Sequence, residues 1–187
     1  MTDRIAGSAK GRYISLSTQT TIRVVPHSYP LILLDRIKAC YPEEGVGQSV
    51  KHITMTDPVL SGHFPGFPIY PGVLIIEAMV QNACMTATLR ELYRSKGSLE
   101  ALLDYFHGVP DAGKQYVLAE VRAKLIQPIF PGHAMDLEAR LLMERDGMYA
   151  YKVSAHVENV EAARGQVTMA EVPTNLTQGQ MDRIGNG

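Results

Sequence analysis

At 187 residues with a formal net charge of −1, the chain is sized for one domain and carries no charge excess pointing to nucleic acid or a membrane surface. Hydrophobic residues make up 45% and charged residues 20%, the balance of an ordinary globular domain able to bury its own core. The two cysteines, Cys40 and Cys84, are too few for a disulfide framework, which suits a reducing, cytoplasmic setting.

The N-terminus, MTDRIAGSAKGRYISLSTQTT, lacks the unbroken apolar stretch of a signal peptide. Residues 1–20 are polar and small and read as a flexible arm, and residues 173–187 read as a flexible tail. Between them, 21–172 form one domain without internal repeats. SYPLILLDRI (28–37) fits either a short helical turn or the start of a buried strand. VGQSVKHITM (46–55) alternates and predicts a strand. Four prolines and three glycines between Asp57 and Gly72 impose an irregular loop. A proline-free run follows, predicting a helix over about 73–96 whose apolar first half should be buried. Its most apolar run, Val73 to Val80, is interrupted by Glu77 and is too short to span a membrane.

Residues 98–114, with Gly108, Pro110 and Gly113, read as a less regular connection. Strands are then expected at 115–127, 134–145, 148–158 and 165–172, with a hairpin turn at Asp146-Gly147. One long buried helix and several long antiparallel strands make the class α+β, with the sheet wrapped around the helix.

Six histidines at 27, 52, 63, 107, 133 and 156 form no zinc-type spacing, and the nucleotide and nucleophile-elbow motifs are missing, so no metal or cofactor is expected. The unusual stretch is SGHFPGFPIYPGVLIIEAMVQ (61–81). His63 sits in a loop stiffened by proline. Pro71-Gly72 opens the helix, whose unpaired N–H groups and positive dipole end suit an oxygen gaining negative charge. Glu77 lies among Ile75, Ile76, Ala78 and Met79, where a carboxyl must be paired or protonated. Gln81, four residues on, shares its face and can hold it. Each feature has an ordinary reading: a loop histidine is usually structural, and acids early in helices favour the dipole. Their coincidence within 15 residues marks a candidate proton-transfer site.

GHFPGFPIYPGVLIIEAMVQ closely resembles the signature of the 3-hydroxyacyl-(acyl-carrier-protein) dehydratases of FabZ type. PHSYPLILLDRI (26–37), TMTDPVLSGHFPG (54–66) and EVRAKLIQPIFPGH (120–133) extend the resemblance to about 23–172. The resemblance implies a hot-dog fold and a homodimer, commonly built into a trimer of dimers, with His63 of one subunit beside Glu77 of the other. It implies an acyl carrier protein as partner and conversion of 3-hydroxyacyl to trans-2-enoyl thioesters without a cofactor. The Gly72 N–H, with Val73 beside it, matches the carbonyl-polarising position, and Gln81 matches the residue that orients the acid. Phe64 and Pro71 complete the candidate substrate-binding set. The sister FabA-type enzymes, which also isomerise the double bond, carry Asp and usually Cys where this chain has Glu77 and Val73, which favours plain dehydration. Against that pattern, 98–114 is longer by about a dozen residues, and Phe67 and Tyr70 place two aromatics in the catalytic loop. The alternatives are a hot-dog thioesterase and a non-catalytic carrier-binding subunit. A carrier that is typically acidic calls for a basic patch, for which Arg122 and Lys124 are the candidates.

Overall fold

The computed structural model describes residues 2–108 and 115–172. Eight strands form one antiparallel sheet in the order β1-β2-β3-β4-β6-β7-β8-β5. They are β1 (Arg4–Ser8), β2 (Gly11–Leu16), β3 (Arg36–Tyr41), β4 (Val46–His52), β5 (Gln115–Leu125), β6 (Ala134–Arg145), β7 (Met148–Val157) and β8 (Val160–Val172). Three helices accompany them: α1 (Thr18–Val24), α2 (Gly72–Lys96) and α3 (Leu99–His107). The sheet packs on α2, which touches every strand from β3 to β8. This is the α+β arrangement expected from the sequence.

Helix α2 stops where Gly97 takes the left-handed conformation (φ 82°) and donates its N–H to the Tyr93 carbonyl. The helix is 25 residues long with a window of mean hydropathy 1.4, enough to cross a membrane by those measures. That window is 72% buried, as in the core helix of a globular domain. The first half of the helix is mostly buried, as expected, with its opening turns partly open. The continuous buried stretch runs from Ala78 to Leu89, whereas Val73 is 72% exposed and Glu77 is only partly covered. The first turn lies beside the end of the edge strand β5; Ile75 is buried there, and Leu74 and Ile76 are only partly covered.

The long strands follow their sequence signals closely. Asp146 (φ 51°) and Gly147 (φ 73°) make the two-residue turn between β6 and β7, with both backbones in the region that a type I′ hairpin needs. Glu158 and Asn159 (φ 51° and 67°) make a second such turn, which starts β8 at Val160 rather than 165.

Two segments differ from expectation, and a third that the sequence left open is decided. Residues 1–20, expected as a flexible arm, contain the β1–β2 hairpin and the start of α1. Ile14 and Leu16 are buried against the core. Asp3 ties this segment down by accepting from the Ser17 backbone N–H (2.6 Å) and the Thr20 hydroxyl (2.5 Å). Strand β3 completes the ambiguous 28–37 region: residues after Asp35 pair with β2 and β4. Within 98–114, residues 99–107 form α3, started by Ser98, whose hydroxyl accepts from the Ala101 N–H at 3.1 Å. Leu99, Leu102 and Phe106 face inward from it. Residues 109–114 and the expected tail at 173–187 lie outside the described residues.

Candidate active site

The chain leaves β4 at His52, passes a single 3₁₀ turn (Pro58–Ser61) and enters the loop that carries His63. Loop residues Phe64 and Phe67 exchange backbone hydrogen bonds (3.2 and 2.9 Å), a tight reversal that Gly66 completes at φ 78°. The Ile69 N–H donates to the His63 carbonyl at 2.8 Å, and the Tyr70 N–H donates to the Ile129 carbonyl at 2.8 Å. These bonds hold the loop against the segment following β5. The His63–Phe64 peptide is cis, and the two rings stack at 4.2 Å.

The Nδ1 of His63 lies 2.9 Å from the carbonyl oxygen of Ile69. A carbonyl oxygen only accepts, so Nδ1 carries the hydrogen, which in the neutral ring leaves the lone pair on Nε2. That is the tautomer a base requires.

Pro71 is the N-cap of α2, and its carbonyl accepts the first helical bonds from Leu74 (3.0 Å) and Ile75 (3.2 Å). The N–H groups of Gly72 and Val73 precede those bonds and lie at the positive end of the helix. Gly72 lies close to the end of β5: a Cβ there would fall 2.3 Å from Leu125 Cδ1, so that exposed side chain would have to turn aside.

Glu77 stands on the second turn with its side chain 29% exposed. Gln81 Nε2 donates to Glu77 Oε1 at 2.9 Å, as the four-residue spacing suggested. The amide of Gln81 is clamped: its Oε1 accepts from the Leu33 N–H (3.0 Å) and its Nε2 also donates to the Leu31 carbonyl (2.8 Å). A residue the sequence reading passed over completes the group. His27 Nε2 lies 3.5 Å from the same Glu77 Oε1. Fifty residues separate the two, and only the occurrence of His27 within PHSYPLILLDRI pointed toward the site.

His63 with its neighbour Phe64 thus sits on the loop, and Pro71, Gly72, Val73, Glu77 and Gln81 on the helix start. Among the described residues, no hydrogen bond or ion pair joins His63 to Glu77 of the same chain. Phe67 and Phe130 meet edge to face at 5.8 Å, and with Met55 and His133 they line an open groove of about 640 Å³ beside the loop. Tyr70 is buried. Arg122 and Lys124 lie on the other side of the sheet with Lys152 and Arg164, around a groove of about 480 Å³. Arg122 pairs with Glu120 at 2.8 Å, while Lys124 and Lys152 have no ion pair among the described residues.

The FabA-like domain model matches residues 25–166. The 3-hydroxyacyl-(acyl-carrier-protein) dehydratase FabZ of Ehrlichia chaffeensis is 33% identical over 154 residues, covering 82% of this chain and 94% of that protein. The protein of the same name from Acetivibrio thermocellus is 36% identical over 153 residues, covering 81% and 92%. Among solved structures, the dehydratase heterocomplex ApeI:P from Xenorhabdus doucetiae aligns with a TM-score of 0.64 at 15% identity, covering 89% of this chain and 97% of that one. A hot-dog-like protein from Thermanaerovibrio acidaminovorans aligns with a TM-score of 0.55 at 13% identity, covering 76% and 91%. At such identities these likenesses establish the fold, which is the hot-dog fold.

Proposed function

This chain belongs to the FabA-like family, among the FabZ-type dehydratases, and we propose that it removes water from 3-hydroxyacyl thioesters with His63 as base and Glu77 as acid. The thioester carbonyl binds at the start of α2, where the Gly72 N–H, with that of Val73 beside it, stabilises the enolate oxygen. His63 Nε2 takes a proton from C2. Glu77, protonated on the oxygen facing the substrate, gives its proton to the C3 hydroxyl. The C3–O bond breaks with its electron pair, water leaves, and a trans C2=C3 double bond remains. Phe64 and Pro71 border the reacting end, and the acyl chain lies along the apolar first turns of the helix.

The single observation that carries this reading is the 2.9 Å contact of His63 Nδ1 with the Ile69 carbonyl oxygen. A histidine whose Nδ1–H is spent on a backbone carbonyl is oriented and basic at the other nitrogen, and it stands on the loop that runs into an exposed helix start.

The site is proposed to be shared between two subunits. Three features support that: among the described residues no hydrogen bond or ion pair joins His63 to Glu77, Val73 is exposed, and β5 is an edge strand with Val117, Val121 and Leu125 partly exposed. A dimer through this edge, assembled further as a trimer of dimers, fits the resemblance. The carrier of the acyl chain is an acidic acyl carrier protein, for which the groove of Arg122, Lys124, Lys152 and Arg164 offers matching charge. The reaction belongs to fatty-acid or related acyl biosynthesis in the cytoplasm.

Incubation with 3-hydroxyacyl thioesters of graded chain length tests the reading. Enoyl thioester should form at the ultraviolet absorbance of the conjugated bond, with no release of free thiol. Thiol release without enoyl product would instead identify a thioesterase, a class that shares the fold.

A further inference from the structure

We propose that His27 is a positioning residue for the acid of this reaction, holding Glu77 by a hydrogen bond from Nε2 to Oε1; this rests on the dehydratase reading above. Glu77 Oε1 accepts from Gln81 Nε2 at 2.9 Å, and His27 Nε2 lies 3.5 Å from the same oxygen. The second distance is long for a formed hydrogen bond, and such contacts often close only when substrate fills a site.

The tautomer follows from burial. His27 Nδ1 is buried and has no hydrogen-bond partner among the described residues. A hydrogen on Nδ1 would have no acceptor there, which is costly, so in the neutral ring the hydrogen is placed on Nε2, the nitrogen next to Glu77. His27 acts as a donor, and the one base of the reaction remains His63.

Placing both donors on Oε1 divides the labour of the carboxyl group. Oε1 becomes the accepting, carbonyl-like oxygen, and Oε2 is left as the hydroxyl oxygen that carries the proton to the C3 hydroxyl. A carboxyl held by Gln81 alone could rotate about its last bond and exchange the two oxygens. With His27 it is held from both sides. The segment 27–33 backs this clamp: His27 lies beside the acid, and Leu31 and Leu33 fix the amide of Gln81 on α2. The helix provides the acid, and the segment after α1 decides which of its oxygens faces the substrate.

The test compares His27→Gln with His27→Asn in the full chain, using a 3-hydroxyacyl thioester that the wild type converts. The glutamine amide nitrogen reaches the position of Nε2, and the asparagine amide reaches only that of Nδ1. His27→Asn should lower kcat about tenfold or more with KM within about threefold, and His27→Gln should recover most of that loss. His27→Phe, which keeps a ring but no donor, should behave like His27→Asn and covers the case in which the latter does not fold. In a Glu77→Gln background, His27→Asn should cost nothing further, because the group it positions is gone. Equal effects of Asn and Gln, a loss confined to KM, or full additivity with Glu77→Gln would overturn the assignment. A wild type that forms no enoyl product would overturn the dehydratase reading itself, and His27's role with it. An active wild type with unaffected His27 variants would overturn the positioning role alone.

Discussion

His63 owes its basic nitrogen to one backbone carbonyl, that of Ile69 six residues along the same loop. Both partners sit within one short Pro/Gly-rich stretch, which is why the candidate base was legible in the sequence. The Glu77–Gln81 bond is equally local, one helical turn apart. His27 was hidden for the opposite reason, since its partner is fifty residues away and no periodicity links them. Replacing His63 by Ala should lower kcat by roughly 10²–10⁴, and Glu77→Gln by a similar factor, with circular dichroism unchanged; wild-type rates in both would refute the roles assigned. Burial acts alike on the two cysteines. Removal from water pushes the thiols of Cys40 and Cys84 up to about 12. In the unfolded chain they titrate at about 8.5. A folded value above the unfolded one contributes stability that is complete below that point and is lost as pH rises toward 12. The native protein should therefore resist a thiol reagent at pH 8, react fully once denatured, and melt at lower temperature as pH is raised beyond 9. Fast native labelling would contradict the burial of both sulfurs.

At the scale of elements, long β6 and β7 were legible because alternation and the Asp146-Gly147 turn act together. The β1–β2 hairpin and α3 were not. Each is short, and each is held by contacts far along the chain: Asp3 on Ser17 and Thr20, and Arg12 of β2 paired with Glu100 of α3. Composition alone made these segments look loose. Leu102 is fully buried in the core beneath α3, so Leu102→Ala should cost about 2–5 kcal/mol in a urea titration. A loss under 1 kcal/mol would mean that α3 is a detachable appendage. Strands β5 and β8 approach so closely that a Cβ on Gly165 would lie 2.4 Å from the Arg122 carbonyl oxygen and 3.0 Å from Ala123 Cα. Both are backbone atoms, so the strand itself must shift. Gly165→Ala should cost about 1–3 kcal/mol and loosen β5, measurable as a lower melting temperature. An unchanged melting temperature would show that the two strands can separate without penalty.

The whole molecule is incomplete at one place. The helix start that should be buried by its apolar composition is partly open in a single chain, next to the edge strand β5 and its partly exposed Val117, Val121 and Leu125. Apolar composition was readable from sequence, but what covers it depends on the assembly, and one chain's periodicity does not encode that. If two chains close over this face, each active site takes His63 from one and Glu77 from the other. The most direct measurement is subunit mixing. His63→Ala and Glu77→Gln proteins, each inactive alone, are unfolded together, refolded, and assayed for enoyl thioester formation. A shared site leaves one of the two sites in every mixed dimer intact, so random pairing should restore roughly a quarter of wild-type activity. A mixture that refolds to dimers yet stays inactive, beside an active wild type treated the same way, would contradict the shared site.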